Sequence, residues 1–131
     1  MPVGSPGPGP APSAGGAQAE LRARVEDAIA RDDPKDLPDL LMEVGLHAES
    51  REWAQSCCIQ LARHRSANVR GNAVLAFGHL ARRFGRLDPQ RVRRLVEIAL
   101  HDPSDHVREQ AAVAADDLAT FLAWEFEREP A

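Results

Sequence analysis

Tyrosine is absent from this chain, threonine occurs once and isoleucine three times. Strands draw on β-branched and aromatic side chains, so this shortage disfavours a β-rich fold. There are two cysteines, and Cys57 and Cys58 are adjacent. Neighbours in sequence build no disulfide framework, and they lack the Cys-x-x-Cys spacing of a metal site. Both are expected as small reduced residues in or near a helical core, which points to a reducing, cytoplasmic location. No apolar run reaches the roughly 18–20 residues of a membrane span, so no membrane association is expected. No N-terminal apolar stretch reads as a secretory signal. The five histidines fall at 47, 64, 79, 101 and 106 without a ligand spacing. P-loop, Gly-x-Ser-x-Gly and dinucleotide fingerprints are missing too. Neither catalysis nor a metal or cofactor is therefore expected.

What is abundant is alanine, with 22 residues, and leucine, with 13, in a chain of 131. Both carry little helix-propensity cost, and the length suits one domain. The formal charge of −4 hides an asymmetry. Residues 61–94 hold nine arginines and one acid, whereas residues 1–60 and 95–131 are both acidic. The average argues against wholesale nucleic-acid binding, and the pattern reads as a basic ridge between acidic ends.

Residues 1–17 form a Pro/Gly/Ala-rich tail that cannot bury enough apolar surface to offset its ordering entropy, so disorder is expected. From there to about residue 127, apolar residues recur at helical spacing between caps and breakers. Leu21, Val25, Ala28 and Ile29 mark a first helix, and Asp36 with Pro38 opens a second. A third is expected from about Ser50 to His64. A fourth starts near Asn68 and is stopped by Gly85. Asp88-Pro89 opens a fifth, and a sixth carries Val107, Ala111, Ala114 and Leu118.

The chain also repeats itself. Asn68-Val69-Arg70, Ala73 and Leu80 recur 38 residues later as His106-Val107-Arg108, Ala111 and Leu118. A unit of that length, built as helix–turn–helix, cannot cover its own apolar face and stacks on its neighbours. The Val-Arg-x-x-Ala pattern opening the second helix of each unit resembles the HEAT-repeat family over about residues 50–122. The resemblance implies an all-α, short α-solenoid of about three repeats: a degenerate helix pair over 18–47, then repeats over about 50–84 and 88–127. It also implies that the arginine after valine, Arg70 and Arg108, belongs to a structural ladder that meets an acidic residue of the neighbouring repeat. Gly78-His79-Leu80-Ala81-Arg82, Leu87-Asp88, Asp116-Asp117-Leu118 and Phe121-Leu122 further resemble small bacterial HEAT-like proteins, some of which serve as immunity proteins against toxins.

Solenoids bind partners on the exposed face of their second helices. On the fourth helix that face is expected to present Asn72, Leu75, His79, Arg82, Arg83 and Arg86. On the sixth it is expected to present Gln110, Val113, Asp117, Thr120 and Trp124. Leu75 and Val113 are equivalent positions, as are His79 and Asp117, and apolar residues ringed by charge resemble an interaction hot spot. The apolar tail around Phe121, Leu122, Trp124 and Phe126 either closes the core or offers anchors to a partner.

The expected function is a non-catalytic protein–protein interaction module, an immunity or antitoxin-like protein in its sharpest form. One alternative is a nucleic-acid-binding repeat protein gripping phosphates through Arg82, Arg83, Arg86, Arg91, Arg93 and Arg94. Another is a relative of HEAT-like bilin lyases.

Overall fold

The computed structural model describes residues 14–126. Six helices follow in the order α1 (Ala14–Arg31), α2 (Leu37–His47), α3 (Arg51–Leu61), α4 (Ala67–Phe84), α5 (Pro89–Ala99) and α6 (Asp105–Leu122). No strand occurs among the described residues, so the all-helical expectation holds. Most of the expected disordered tail lies outside the described residues. Its boundary at 17 is corrected, because α1 already starts at Ala14. Pro12 is the last proline before it, and the Ala/Gln/Glu-rich stretch that follows favours helix.

Small polar residues set where the helices begin. Ser50, Ser66 and Ser104 accept from the backbone N–H groups of Trp53, Val69 and Val107, and Asp88 accepts from that of Gln90. Each bond satisfies one of the donors that a helix start leaves unpaired. The fourth helix is thus capped by Ser66 rather than starting near Asn68, which sits inside its first turn. The third ends at Leu61, short of the expected His64. The His64 ring leaves the helix instead, accepting from the Ser66 N–H at 2.9 Å and meeting Asp32 at 2.5 Å. Asp36 precedes α2 as expected, but its side chain makes no capping bond.

The helices form two rows. α2, α4 and α6 pack side by side, with α4 in the middle, while α1 lies on α2, α3 on α4 and α5 on α6. The core runs through α4, where Val69, Ala73, Val74, Phe77 and Leu80 are fully buried. The second row is looser. α3 and α5 barely meet, and the backbones of α1 and α3 nowhere come within 8 Å.

Glycine explains the close spacing of the first row. A Cβ at Gly45 of α2 would lie 3.3 Å from Ala76 Cβ and 3.2 Å from His79 Cδ2 of α4. A Cβ at Gly78 of α4 would lie 3.3 Å from Ala114 Cα and 2.7 Å from Asp117 Oδ2 of α6. At Gly71 it would lie 2.6 Å from His106 Cδ2. Gly45 and Gly78 therefore do the same job one helix apart. On α6 the residues 38 positions after Gly71 and Gly78 are Glu109 and Asp116, both exposed.

Polar stitches hold both edges of the rows. Along one edge, Arg70 grips Asp102 with two bonds of 2.9 and 3.0 Å and donates to the His64 and Arg65 carbonyls. One unit on, Arg108 donates to the Asp102 carbonyl at 2.6 Å and pairs with Asp105. Along the other edge, each first helix clamps the segment that follows its second helix. Gln18 bonds the His47 carbonyl and the Glu49 N–H, Gln55 accepts from the Asp88 N–H, and Arg93 donates to the Glu125 carbonyl. Gln55 is the one buried polar side chain among the described residues.

α4 ends at Gly85, whose φ of 71° lies in the left-handed region. Ala123 ends α6 at the equivalent place with φ 58°, and the Trp124 N–H closes the turn on the Leu118 carbonyl. A side chain in that conformation costs about 1–2 kcal/mol. Ala123→Gly should therefore raise the midpoint of thermal unfolding, read by circular dichroism, by a stability gain of about 1 kcal/mol. Gly78→Val should lower it, by the roughly 1–3 kcal/mol of an overpacked contact.

Candidate functional site

The expected binding face of α4 is largely the face by which α4 meets α2, and this corrects the reading of it as open surface. Asn72 donates to the Pro38 carbonyl at 3.0 Å. Arg83 donates to the Gly45 and Ala48 carbonyls at 2.9 and 2.5 Å, closing the C-terminal end of α2. His79 packs its ring on Gly45. Burial and the neighbouring Arg82 guanidinium push its pKa down, against a weaker upward pull from Asp117. Its Nδ1 meets Arg82 Nη2 at 3.2 Å, and its Nε2 is buried without a hydrogen-bond partner.

The same correction applies on α6. Gln110 lies against Gly71 and Asp117 against Gly78, so both face α4 rather than solvent. His106 turns its ring onto Gly71, and its Nε2 too is buried without a partner. The cause is common to both helices. A row with α4 at its centre covers two flanks of that helix, and only a narrow strip between them stays open.

That strip carries one apolar residue per helix. Val113 is 48% exposed, and Leu75 and Met42 are half-buried. Leu75 precedes Gly78 by three residues, as Met42 precedes Gly45, and Val113 precedes Asp116. The three therefore occupy matching positions along the row. Arg82 and Thr120 are exposed one to two turns further along the same strips. Met42 went unnoticed in the sequence because α2 lacks the Val-Arg pattern. The glycine three residues on was the available signal.

Trp124 is half-buried, and the Arg93 guanidinium lies 5.6 Å from its ring and 5.7 Å from that of Phe126. The tail thus folds back on α5 as a cover, leaving Phe121 43% exposed. Arg86 is exposed beside this tail, lining a shallow hollow of about 420 Å³ with Thr120 and Phe121.

The arginine ridge does not survive as a unit. Arg70 is held by Asp102, Arg65 by Asp32, Arg83 by α2 carbonyls and Arg93 by the tail. Arg63 and Arg91 have no acidic partner among the described residues, and Arg94 has only Glu97 at 4.0 Å. These three line a groove of about 490 Å³ between α3 and α5, over Ile59 and Leu95.

Nothing in the described residues groups three or more His, Cys, Asp or Glu side chains as metal ligands. Both thiols are buried, and burial pushes that of Cys57 up to about 11 and that of Cys58 higher still. A thiolate is the reactive form, so neither is poised as a nucleophile. No described helix is long and apolar enough to cross a membrane.

The stitch at Arg70 has a measurable signature. The Arg70 guanidinium holds the Asp102 carboxyl below the ordinary carboxylate range, and the Ser104 N–H adds to this. A depressed carboxyl stabilises the fold above the unfolded pKa of about 3.9 and loses that contribution as pH falls towards the folded value. Asp102→Asn should cost about 2 kcal/mol at neutral pH. It should also flatten the loss of stability below about pH 4, read by denaturant titrations across pH. The chain matches no family model, no curated protein and no solved structure.

Proposed function

We propose that the chain is a short HEAT-like α-solenoid that binds another protein in the cytoplasm and has no catalysis of its own. Support for the repeat reading comes from the shared positions of Ser66 and Ser104, of Arg70 and Arg108, and of Gly45 and Gly78. The observation that carries the binding role is the strip of Met42, Leu75 and Val113 along the second helices, with Val113 48% exposed at its end. Aliphatic side chains left in a row on a rigid, closely packed layer suit a flat partner surface. Preorganisation lowers the ordering cost of such an association. Arg82, exposed near the strip, supplies charge at the rim, where it steers association more than it adds affinity.

Phosphate gripping finds less support. It needs the arginines of residues 82–94 to act together, yet Arg83 and Arg93 are engaged within the fold. A toxin-neutralising role is the special case in which the bound protein is toxic by itself.

The test is affinity capture from the source cells by the intact chain and by a Leu75→Asp/Val113→Asp variant, with folding checked by circular dichroism. One stoichiometric protein should be captured by the wild type and lost, at least tenfold, by the variant. Equal capture by both would overturn the strip as the site. Nuclease-sensitive nucleic acid in place of protein would overturn the protein-binding reading.

A further inference from the structure

The groove between α3 and α5 stands apart from the second-helix strip, on the other row of helices. It opens because α3 and α5 barely meet, whereas α4 and α6 are drawn together through Gly71 and Gly78. Ile59 and Arg63 enter from α3, and Arg91, Arg94 and Leu95 from α5. The remaining lining residues are glutamines, so no carboxylate faces it.

That composition departs from the rest of the surface. Arg24 pairs with Glu43, Arg31 with Asp27 and Asp33, Arg65 with Asp32, and Arg108 with Asp105. The matching hollow between α1 and α3 contains Glu49, and its Arg22 lies over the Trp53 ring at 5.0 Å. Only at the α3–α5 groove do several guanidinium groups share one cleft without a compensating acid among the described residues. Gathering like charges around an aliphatic floor raises the local positive potential, and an incoming anion relieves it.

We propose that this groove docks an acidic segment of a partner protein, with carboxylates to meet Arg63, Arg91 and Arg94 and aliphatic side chains to fill the floor. Guanidinium forks match carboxylates in bidentate geometry. Arg91 and Arg94 lie three residues apart on one face of α5, and Ile98, 48% exposed, extends that face by a further turn. The floor is Ile59 and Leu95, with no aromatic ring on which a base could stack. The acidic flanking regions of the chain also repel a polyanion longer than the groove. Charge and floor together favour a short acidic peptide over a nucleic acid.

The experiment measures fluorescence anisotropy of a labelled peptide of about four helical turns carrying Glu and Leu on one face. Comparators are the same peptide with Gln for Glu, and a labelled oligo-dT of similar charge. The proteins are the intact chain, an Arg91→Glu/Arg94→Glu variant, and the Leu75→Asp/Val113→Asp variant. All four replaced residues are at least partly exposed, and circular dichroism verifies the fold. The Glu peptide should bind the wild type, weaken at least tenfold in the arginine variant and hold its affinity in the strip variant. Its affinity should also fall as salt rises. No binding by the Glu peptide, equal binding by the Gln peptide, or undiminished binding to the arginine variant would each overturn the proposal. So would tighter binding of oligo-dT, which would reassign the groove to phosphates. The strip variant separates the two surfaces, so failure here leaves the second-helix reading standing, and the converse holds too.

Discussion

The rest of the molecule depends on how close α2, α4 and α6 come to one another. That approach is possible because Gly45, Gly71 and Gly78 present no Cβ where the next helix brings Ala76, His106 and Ala114. Glycine in a helix interior costs about 1 kcal/mol relative to alanine, so the chain gives up local helix stability at these positions for tertiary contact. The gain is a dense layer through α4, in which Phe77, Leu80 and Leu118 are fully buried. The same tightness on one row leaves the other row splayed. The groove between α3 and α5 follows from it, as does the narrowness of the strip through Leu75 and Val113.

Polar side chains then fix the helical hairpins at their ends. Arg70 ties its own turn to Asp102 of the next, and Gln18, Gln55 and Arg93 each clamp the segment after the second helix. The two edges work differently. Along the first, charge-assisted bonds span neighbouring hairpins, so that edge resists sliding of one unit on another. Along the second, each bond stays within a hairpin and sets the angle at which its helices leave the loop. A buried amide such as Gln55 suits this task, because it satisfies a backbone donor without bringing a charge inside.

Much of the fold was legible in the sequence. Serine and aspartate caps, Gly85 and the alternation of apolar residues marked the six helices, and the spacing between Val69-Arg70 and Val107-Arg108 marked two matching units. The faces were harder to assign. A helical wheel separates apolar from polar residues, but Asn72, His79, Gln110 and Asp117 are polar and still lie between helices. They fit there because glycine opposite leaves room and because backbone carbonyls such as that of Pro38 accept their donors. The arginines were similarly opaque. Their number was plain, but whether each meets a carbonyl, a carboxylate, a ring or solvent depends on residues some 30 positions away. The clamp of Gln18, Gln55 and Arg93 was within reach, since these lie 37 and 38 residues apart. It was hidden because the third member changes from glutamine to arginine.

The acidic pair Glu109 and Asp116 has a consequence for the length of the array. Each stands where α4 has a glycine, so α6 offers no cleft for another second helix. The count of hairpins is therefore written into the last helix, and copies of the molecule cannot add to that end as α6 adds to α4. Restoring glycine at both positions would turn a terminus into a junction, and the closed unit into a growing one.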